Sequence, residues 1–280
     1  MFDGWRAVLA MADVRAVGTT APRLSDWLLA HGRTSVATAE AAVLLGVPQG
    51  HVRVRLHRPV QEGLLFSPAR GLWVPVPPEY RTWGVTPAMH FLDDLMRHLG
   101  RDYYVGWLSA AELHGAGHQR PQVTQVAVDR PVADRDLGRV RVVFHTRGGV
   151  GALPRVARQV PTGQVWVSSP ELTALDLADR PQRGGGVSNV ATVLAEMAAD
   201  PGLSAGELAE LAARFPAGSA RRLGYLLQVV GAPVDLDPLR ALVGARPLAR
   251  TPVLTPQGPR RGTRDTVWQL LVNTDVEPDL

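Results

Sequence analysis

Apolar positions first fall into a helical rhythm at Leu24, Trp27 and Leu28, a stripe that Gly32 stops. An Ala-rich run over residues 38–45, closed by Gly46, predicts a second helix. Gly46-Val47-Pro48 is a tight turn, and a third helix is predicted from Pro48 towards Gln61, ending at Gly63. On that helix Val52 and Leu56 point inward together. Gly50, His51, Arg53, Val54, His57 and Arg58 occupy the rest of the wheel. Two short apolar runs at 64–66 and 72–74, joined by Ser67-Pro68-Ala69-Arg70-Gly71, predict a β-hairpin with a basic tip. Helix, helix, turn, helix and hairpin is the order of a winged helix-turn-helix.

Pro75, Pro77, Pro78 and then Pro87 favour extended backbone, so a linker is predicted between about residues 75 and 87. It would separate a domain of residues 1–80 from one of residues 88–280. Beyond it, helices are predicted at 89–99 and 103–113, and strands at about 122–128, 139–145 and 164–167. Ser168-Ser169-Pro170-Glu171 reads as a helix start, with Ser168 and Glu171 at capping-box spacing, after which Leu172, Leu175 and Leu177 pack inward. Further helices are expected at 188–199, at 204–215 with the cap pair Ser204 and Glu207, and at 219–230, where Leu223, Leu226, Leu227 and Val230 form a full stripe. A terminal strand is expected at 266–273. The fold class is α+β: an N-terminal winged helix-turn-helix followed by a larger mixed α/β domain.

Composition changes this picture mainly by exclusion. The 280 residues contain 30 Lys+Arg against 26 Asp+Glu, and every one of the 30 is arginine. The pI of about 10.2 follows from that, since no lysine deprotonates near pH 10, and it overstates a net charge of +4. Without lysine the chain has no Walker-type phosphate loop, no kinase-type strand lysine and no Schiff-base nucleophile, roles arginine does not fill. With no cysteine, disulfides, thiolate catalysis and cysteine-held zinc are also excluded. No apolar run has membrane-spanning length and residues 1–20 lack a signal-peptide core, so a cytoplasmic location is the default expectation.

The distribution of charge says more than its total. Residues 1–87 hold 9 Arg and 6 acids, whereas 88–180 hold 11 and 10 and 181–280 hold 10 of each. The surplus therefore falls with the third helix and the hairpin. Residues 49–53, including Gln49, His51 and Arg53, are placed to approach base edges in a major groove, and Arg55, Arg58 and Arg70 to meet phosphates. Pro59 is expected to kink or shorten the helix.

Between Leu137 and Ser169 lie Arg139, Arg141, Arg147, Arg155, Arg158 and His145 without an acid. On a strand, Arg139, Arg141 and Val143 would share a face. The stretch reads either as a polyanion surface or, more ordinarily, as a solvated sheet face balanced by acids elsewhere.

Catalytic patterns are incomplete. His114 and His118, with Glu112 near, have metal-ligand spacing, but Gly115 and Gly117 end the helix between them, and His114 is better read as a helix cap. Gly148-Gly149-Val150-Gly151 has Pro154 where a dinucleotide fingerprint needs its third glycine. Gly184-Gly185-Gly186 is a turn, with Arg183 beside it. No metal, cofactor or catalytic residue is assigned, and the expectation is a binding protein rather than an enzyme.

Four ordered segments carry a family resemblance. They are Tyr103-Tyr104-Val105-Gly106-Trp107-Leu108-Ser109-Ala110-Ala111-Glu112-Leu113-His114-Gly115, Ser169-Pro170-Glu171-Leu172-Thr173-Ala174-Leu175-Asp176-Leu177, Arg222-Leu223-Gly224-Tyr225-Leu226-Leu227 and Trp268-Gln269-Leu270-Leu271-Val272-Asn273. Together they resemble the AbiEi-type antitoxins of abortive-infection, type IV toxin-antitoxin systems. The resemblance implies an antitoxin that also represses its own operon. An N-terminal winged helix-turn-helix would bind promoter inverted repeats through Gln49, His51, Arg53, Arg55, Arg58 and Arg70. A C-terminal domain would counter an AbiEii-type nucleotidyltransferase toxin, with or without physical contact. Pro59 departs from the family's usual hydrophobic residue. The alternative is a stand-alone winged-helix transcription regulator whose C-terminal domain binds a ligand or another protein.

Overall fold

The computed structural model describes residues 19–116, 122–199 and 202–279. They form two compact units. The first comprises residues up to Asp102 with Val132–Val143 and Gln159–Val165, and the second Tyr103–Pro131, Phe144–Arg158 and Trp166 onward.

In the first unit, helix α1 (Leu24–Ala30) buries Leu24 and Leu28, and Gly32 ends it in the left-handed region. A short strand β1 (Val36–Ala37) leads into α2 (Thr38–Leu45), closed by Gly46 at φ 62°. A single 3-10 turn at Gln49–His51 then opens α3 (Val52–Gln61). The hairpin strands β2 (Leu65–Ala69) and β3 (Leu72–Pro75) join β1 in an antiparallel sheet of order β1-β3-β2. Leu24, Leu28, Leu44, Val52, Leu56 and Leu65 meet in one buried core.

The hairpin differs from expectation at its tip. The five-residue connection is strand as far as Ala69, leaving Arg70 and Gly71 as a two-residue turn, with Gly71 at φ 91°. Pro68 has no N–H to give a ladder. It is accommodated because β2 is an edge strand and its register shifts between Phe66 and Ala69.

The proline-rich stretch after β3 holds a 3-10 turn at Pro78–Tyr80 and buries Val76, Val85 and Thr86. Helix α4 (Leu92–Leu99) follows and stops at Gly100, φ 60°.

The second unit opens on a correction. Residues 103–105, expected as the start of a helix, are strand β4 (Tyr103–Val105), and only α5 (Trp107–Leu113) is helical. All three strand residues are buried, and β4 runs between two partners. It is antiparallel to β5 (Thr124–Val128), and Val105 pairs in parallel with Val167 of β9 (Gly163–Ser168). A strand covered on both faces shows no polar alternation, so its apolar run imitates a buried helix turn. Strand β8 (Arg155–Val160) lies beyond β9, and in the first unit β6 (Arg135–Asp136) pairs antiparallel with the start of β7 (Arg141–Thr146).

Helices follow at α6 (Pro170–Asp179), α7 (Val187–Ala199), α8 (Ala205–Ala212), α9 (Ala217–Val229) and α10 (Asp237–Ala245), the last not expected. The cap of α6 is Ser169, whose hydroxyl accepts from the Leu172 N–H at 3.2 Å, not Ser168. The Ser168 hydroxyl faces inward, 2.6 Å from that of Thr173. Ser204 caps α8 through the Glu207 N–H, as its spacing predicts. The expected terminal strand is only β11 (Leu270–Val272), paired with β10 (Thr263–Asp265). The architecture is α+β. Among the described residues no helix is long and apolar enough to cross a membrane.

Candidate nucleic-acid interface

Helix α3 owes its orientation to one narrow stripe. Val52, Leu56 and Pro59, at i, i+4 and i+7, are buried, while Arg53, Val54, Arg55, His57 and Arg58 are exposed. Val54, in the middle of this helix, is 76% exposed. Pro59 does not shorten the helix. Its ring fills a buried position, and the helix continues to Gln61, with Glu62 N–H donating to the Arg58 carbonyl at 2.9 Å and Leu64 N–H to that of Pro59 at 2.9 Å.

Between α3 and the hairpin lies a groove of about 1310 Å³. Gln49, Gly50, Arg53 and His57 line it from the helix side, and Pro68 to Gly71 from the hairpin. No acid is among its lining residues. Of the residues singled out from sequence, Gln49, Arg53 and Arg70 meet at this groove. His51, Arg55 and Arg58 are exposed on the same helical segment but outside it. Arg58 is engaged by Glu62, one turn on, at 2.7 Å. The groove has a further cation the sequence did not suggest, Arg135, which also lines it. Sixty-five residues separate Arg135 from Arg70, so no local pattern could connect them.

The basic stretch is dispersed rather than continuous. Arg139 precedes β7 and lies over the Trp83 ring at 5.8 Å, so it does not share a strand face with Arg141. Arg141 pairs with Asp136 at 3.6 Å. In the second unit Arg155 lies over Trp166 and donates to the Tyr103 carbonyl, and Arg158 donates to the Leu113 carbonyl. Arg147 turns to a buried carboxylate.

That carboxylate is Asp176 on α6, fully enclosed, which accepts from Arg147 Nη1 and, at 2.8 Å, from the Tyr104 hydroxyl. Burial pushes the Asp176 carboxyl up to about 6 despite the cation beside it. Burial also raises the Tyr104 phenol above its ordinary range. The Arg147 guanidinium is held charged: burial opposes its charge, but Asp176 and Tyr104 outweigh burial.

Next to this network, Trp107 is a non-glycine residue at φ 50°. Its ring is edge-on to His145 at 4.8 Å, and the Arg183 guanidinium lies over it at 4.7 Å. His114 caps α5 and donates from Nε2 to the Ser168 carbonyl at 2.7 Å, and burial lowers its pKa. His118 lies outside the described residues. Among the described residues no cluster of metal-ligating side chains occurs.

The segments singled out from sequence meet here in one core. Tyr104 bonds to Asp176, Arg222 of α9 donates to the Ala178 carbonyl of α6, and Trp268 rests on Gly224. Residues 104–229 match the AbiEi antitoxin C-terminal domain. The AbiEi resemblance is thus shown, and the domain supports an antitoxin role in a toxin-antitoxin pair. The crystal structure of the RV2827C protein from Mycobacterium tuberculosis shares the fold, with a TM-score of 0.63 and 21% identity over 91% of this chain and 92% of that one. No curated protein sequence matches the chain.

Proposed function

We propose that this AbiEi-domain protein is an autoregulating antitoxin. Its first unit, read as a winged helix-turn-helix, binds inverted repeats in its own promoter, and its second counters a nucleotidyltransferase toxin in the cytoplasm without catalysis of its own. The observation that carries the DNA reading is the acid-free groove between α3 and the hairpin, with Arg53 on one wall and Arg70 on the other. A helix with a single buried stripe leaves its remaining faces for a major groove, and a wing beside it is placed to track the phosphate backbone.

Fluorescence anisotropy with labelled upstream duplex tests this reading. Specific binding should reach roughly 10⁻⁸ M at physiological salt and exceed that of random duplex at least a thousandfold. Equal affinity for both duplexes removes the repressor function. Co-expression with the adjacent toxin gene, scored by growth, tests the second unit: restored growth supports the antitoxin, and unrelieved arrest leaves a stand-alone regulator.

A further inference from the structure

The hairpin beside α3 is fastened by two side chains from outside it. Arg135 Nε donates to the Pro68 carbonyl at 2.6 Å, and His98 of α4 donates from Nε2 to the Arg70 carbonyl at 3.0 Å. Both acceptors belong to the outer strand and tip, the part of a hairpin with no further strand to hold it. The fit at the tip is close. A Cβ on Gly71 would stand 3.4 Å from the His98 ring, and Gly71 already sits at φ 91°. Arg135 is itself held in place, since its Nη1 donates to the carbonyls of Ala133 and Asp134. Its β6 strand is braced against β7 by the pairs Arg135 with Val142 and Asp136 with Arg141.

The inner strand is paired with β1, but the outer strand and tip are held on one side only, and ordering a loose tip on a ligand subtracts from affinity. A hairpin pinned at two carbonyls before binding avoids that loss.

We infer that Arg135 and His98 are positioning residues for nucleic-acid recognition: they fix the wing against α3 so that Arg70 and Arg53 face one groove. The DNA-binding unit therefore includes residues 132–143, which lie far along the chain from the helix-turn-helix. This inference rests on the DNA reading for its purpose, while the clamp itself can be measured without DNA.

The test uses the full chain and three variants. Glutamine carries its amide nitrogen as many bonds from Cα as arginine carries Nε, so Arg135→Gln keeps the donor to Pro68 and removes the charge. Arg135→Ala removes both, and His98→Ala releases the tip. Without DNA, hydrogen exchange of hairpin amides 65–75 should quicken roughly tenfold in Arg135→Ala and His98→Ala and stay near wild type in Arg135→Gln. Affinity for the upstream duplex should fall about five- to tenfold in both alanine variants with an unchanged salt slope, and recover in Arg135→Gln.

Unchanged exchange in both alanine variants overturns the clamp. An equal affinity loss in Arg135→Ala and Arg135→Gln, with a salt slope lower by about one, makes Arg135 a phosphate contact and overturns its positioning role. If the wild-type chain binds no duplex, the DNA reading fails, and the exchange measurement alone decides the clamp.

Discussion

Gly224→Ala is a substitution that helix propensity and packing judge oppositely. Gly224 lies inside α9, where alanine would ordinarily stabilise by about 1 kcal/mol. At this position the added Cβ would fall 2.1 Å from Cζ3 of Trp268 and 2.4 Å from both Cε3 and Cη2. Ordinary carbon contacts begin near 3.5 Å, so the ring would have to retreat by roughly 1.5 Å. It has little room to do so, being completely buried and tied through Nε1 to Gln228 Oε1 at 3.0 Å. Overpacking of this kind costs about 1–3 kcal/mol and sometimes more, and here three ring atoms clash at once. The net expectation is a loss on the order of 2 kcal/mol, or about 4–8 °C in Tm for a unit of this size. Thermal unfolding by circular dichroism, with a urea titration beside it, measures the change. Trp268→Leu supplies the control: adding Gly224→Ala to that background should cost nothing or stabilise, a coupling of at least about 1 kcal/mol between contacting sites. A Gly224→Ala protein as stable as wild type would refute the close packing of helix on indole.

The Asp176 network makes a pH prediction. Because the folded carboxyl is raised from 3.8 to about 6, the folded chain binds more protons than the unfolded chain between those values, so this group's contribution to stability falls as pH rises through that window. Relative to Asp176→Asn, the wild type should lose on the order of 3 kcal/mol between pH 4 and pH 7 in urea titrations, and a difference of opposite sign would contradict the shift. Arg147→Ala strands the carboxylate and should cost about 3–5 kcal/mol at pH 7 but less at pH 5, where the carboxyl is largely protonated. On the other unit, Arg53→Ala should relax sequence preference, whereas Arg58→Ala should weaken binding to every duplex and flatten the salt slope. Identical behaviour of the two in anisotropy titrations would show that base and phosphate contacts have been misassigned. Glu62→Gln frees Arg58 from its ion pair and removes an anion from the same surface, so duplex binding should tighten and its salt dependence steepen.

Local sequence signals are sufficient where one residue decides. Gly32, Gly46 and Gly100 end their helices in the left-handed region, and Ser204 caps α8, because such stops need a particular backbone or side chain at one position. The readings that failed depend on distant partners. Tyr103-Tyr104-Val105 is a strand because β5 and β9 flank it, and neither lies near it in sequence. Of the candidate interface, the α3 cations and Arg70 were legible from helical phase and from a basic turn. Arg135 and His98 were not, since each acts by reaching a carbonyl on another element.

The arginines also show why a global charge count is a poor guide to partners. Arg221, 1% exposed, donates to the carbonyls of Ala217, Val243 and Arg246 and to the Gln269 side chain, with no acid among these partners. Arg222 reaches the carbonyls of Ala178, Asp179 and Val253, and Arg246 those of Ala212, Ala213 and Phe215. Several of these acceptors are at helix ends, where carbonyls lack intrahelical donors and a cation is favoured. A guanidinium offers five donors in a fixed plane and can tie several carbonyls at once, which an ammonium on a flexible stem does less well. In a chain without lysine, arginine therefore has two separate uses: internal fastening, by Arg221, Arg222 and Arg246 in the second unit and by Arg135 in the first, and exposed charge on α3 and the hairpin tip. Only the second stands at the surface, where it can meet a polyanion directly, so an acid-free run such as residues 137–169 signals a polyanion surface only after its fastened members are set aside. Arg147, drawn onto Asp176, is one of those.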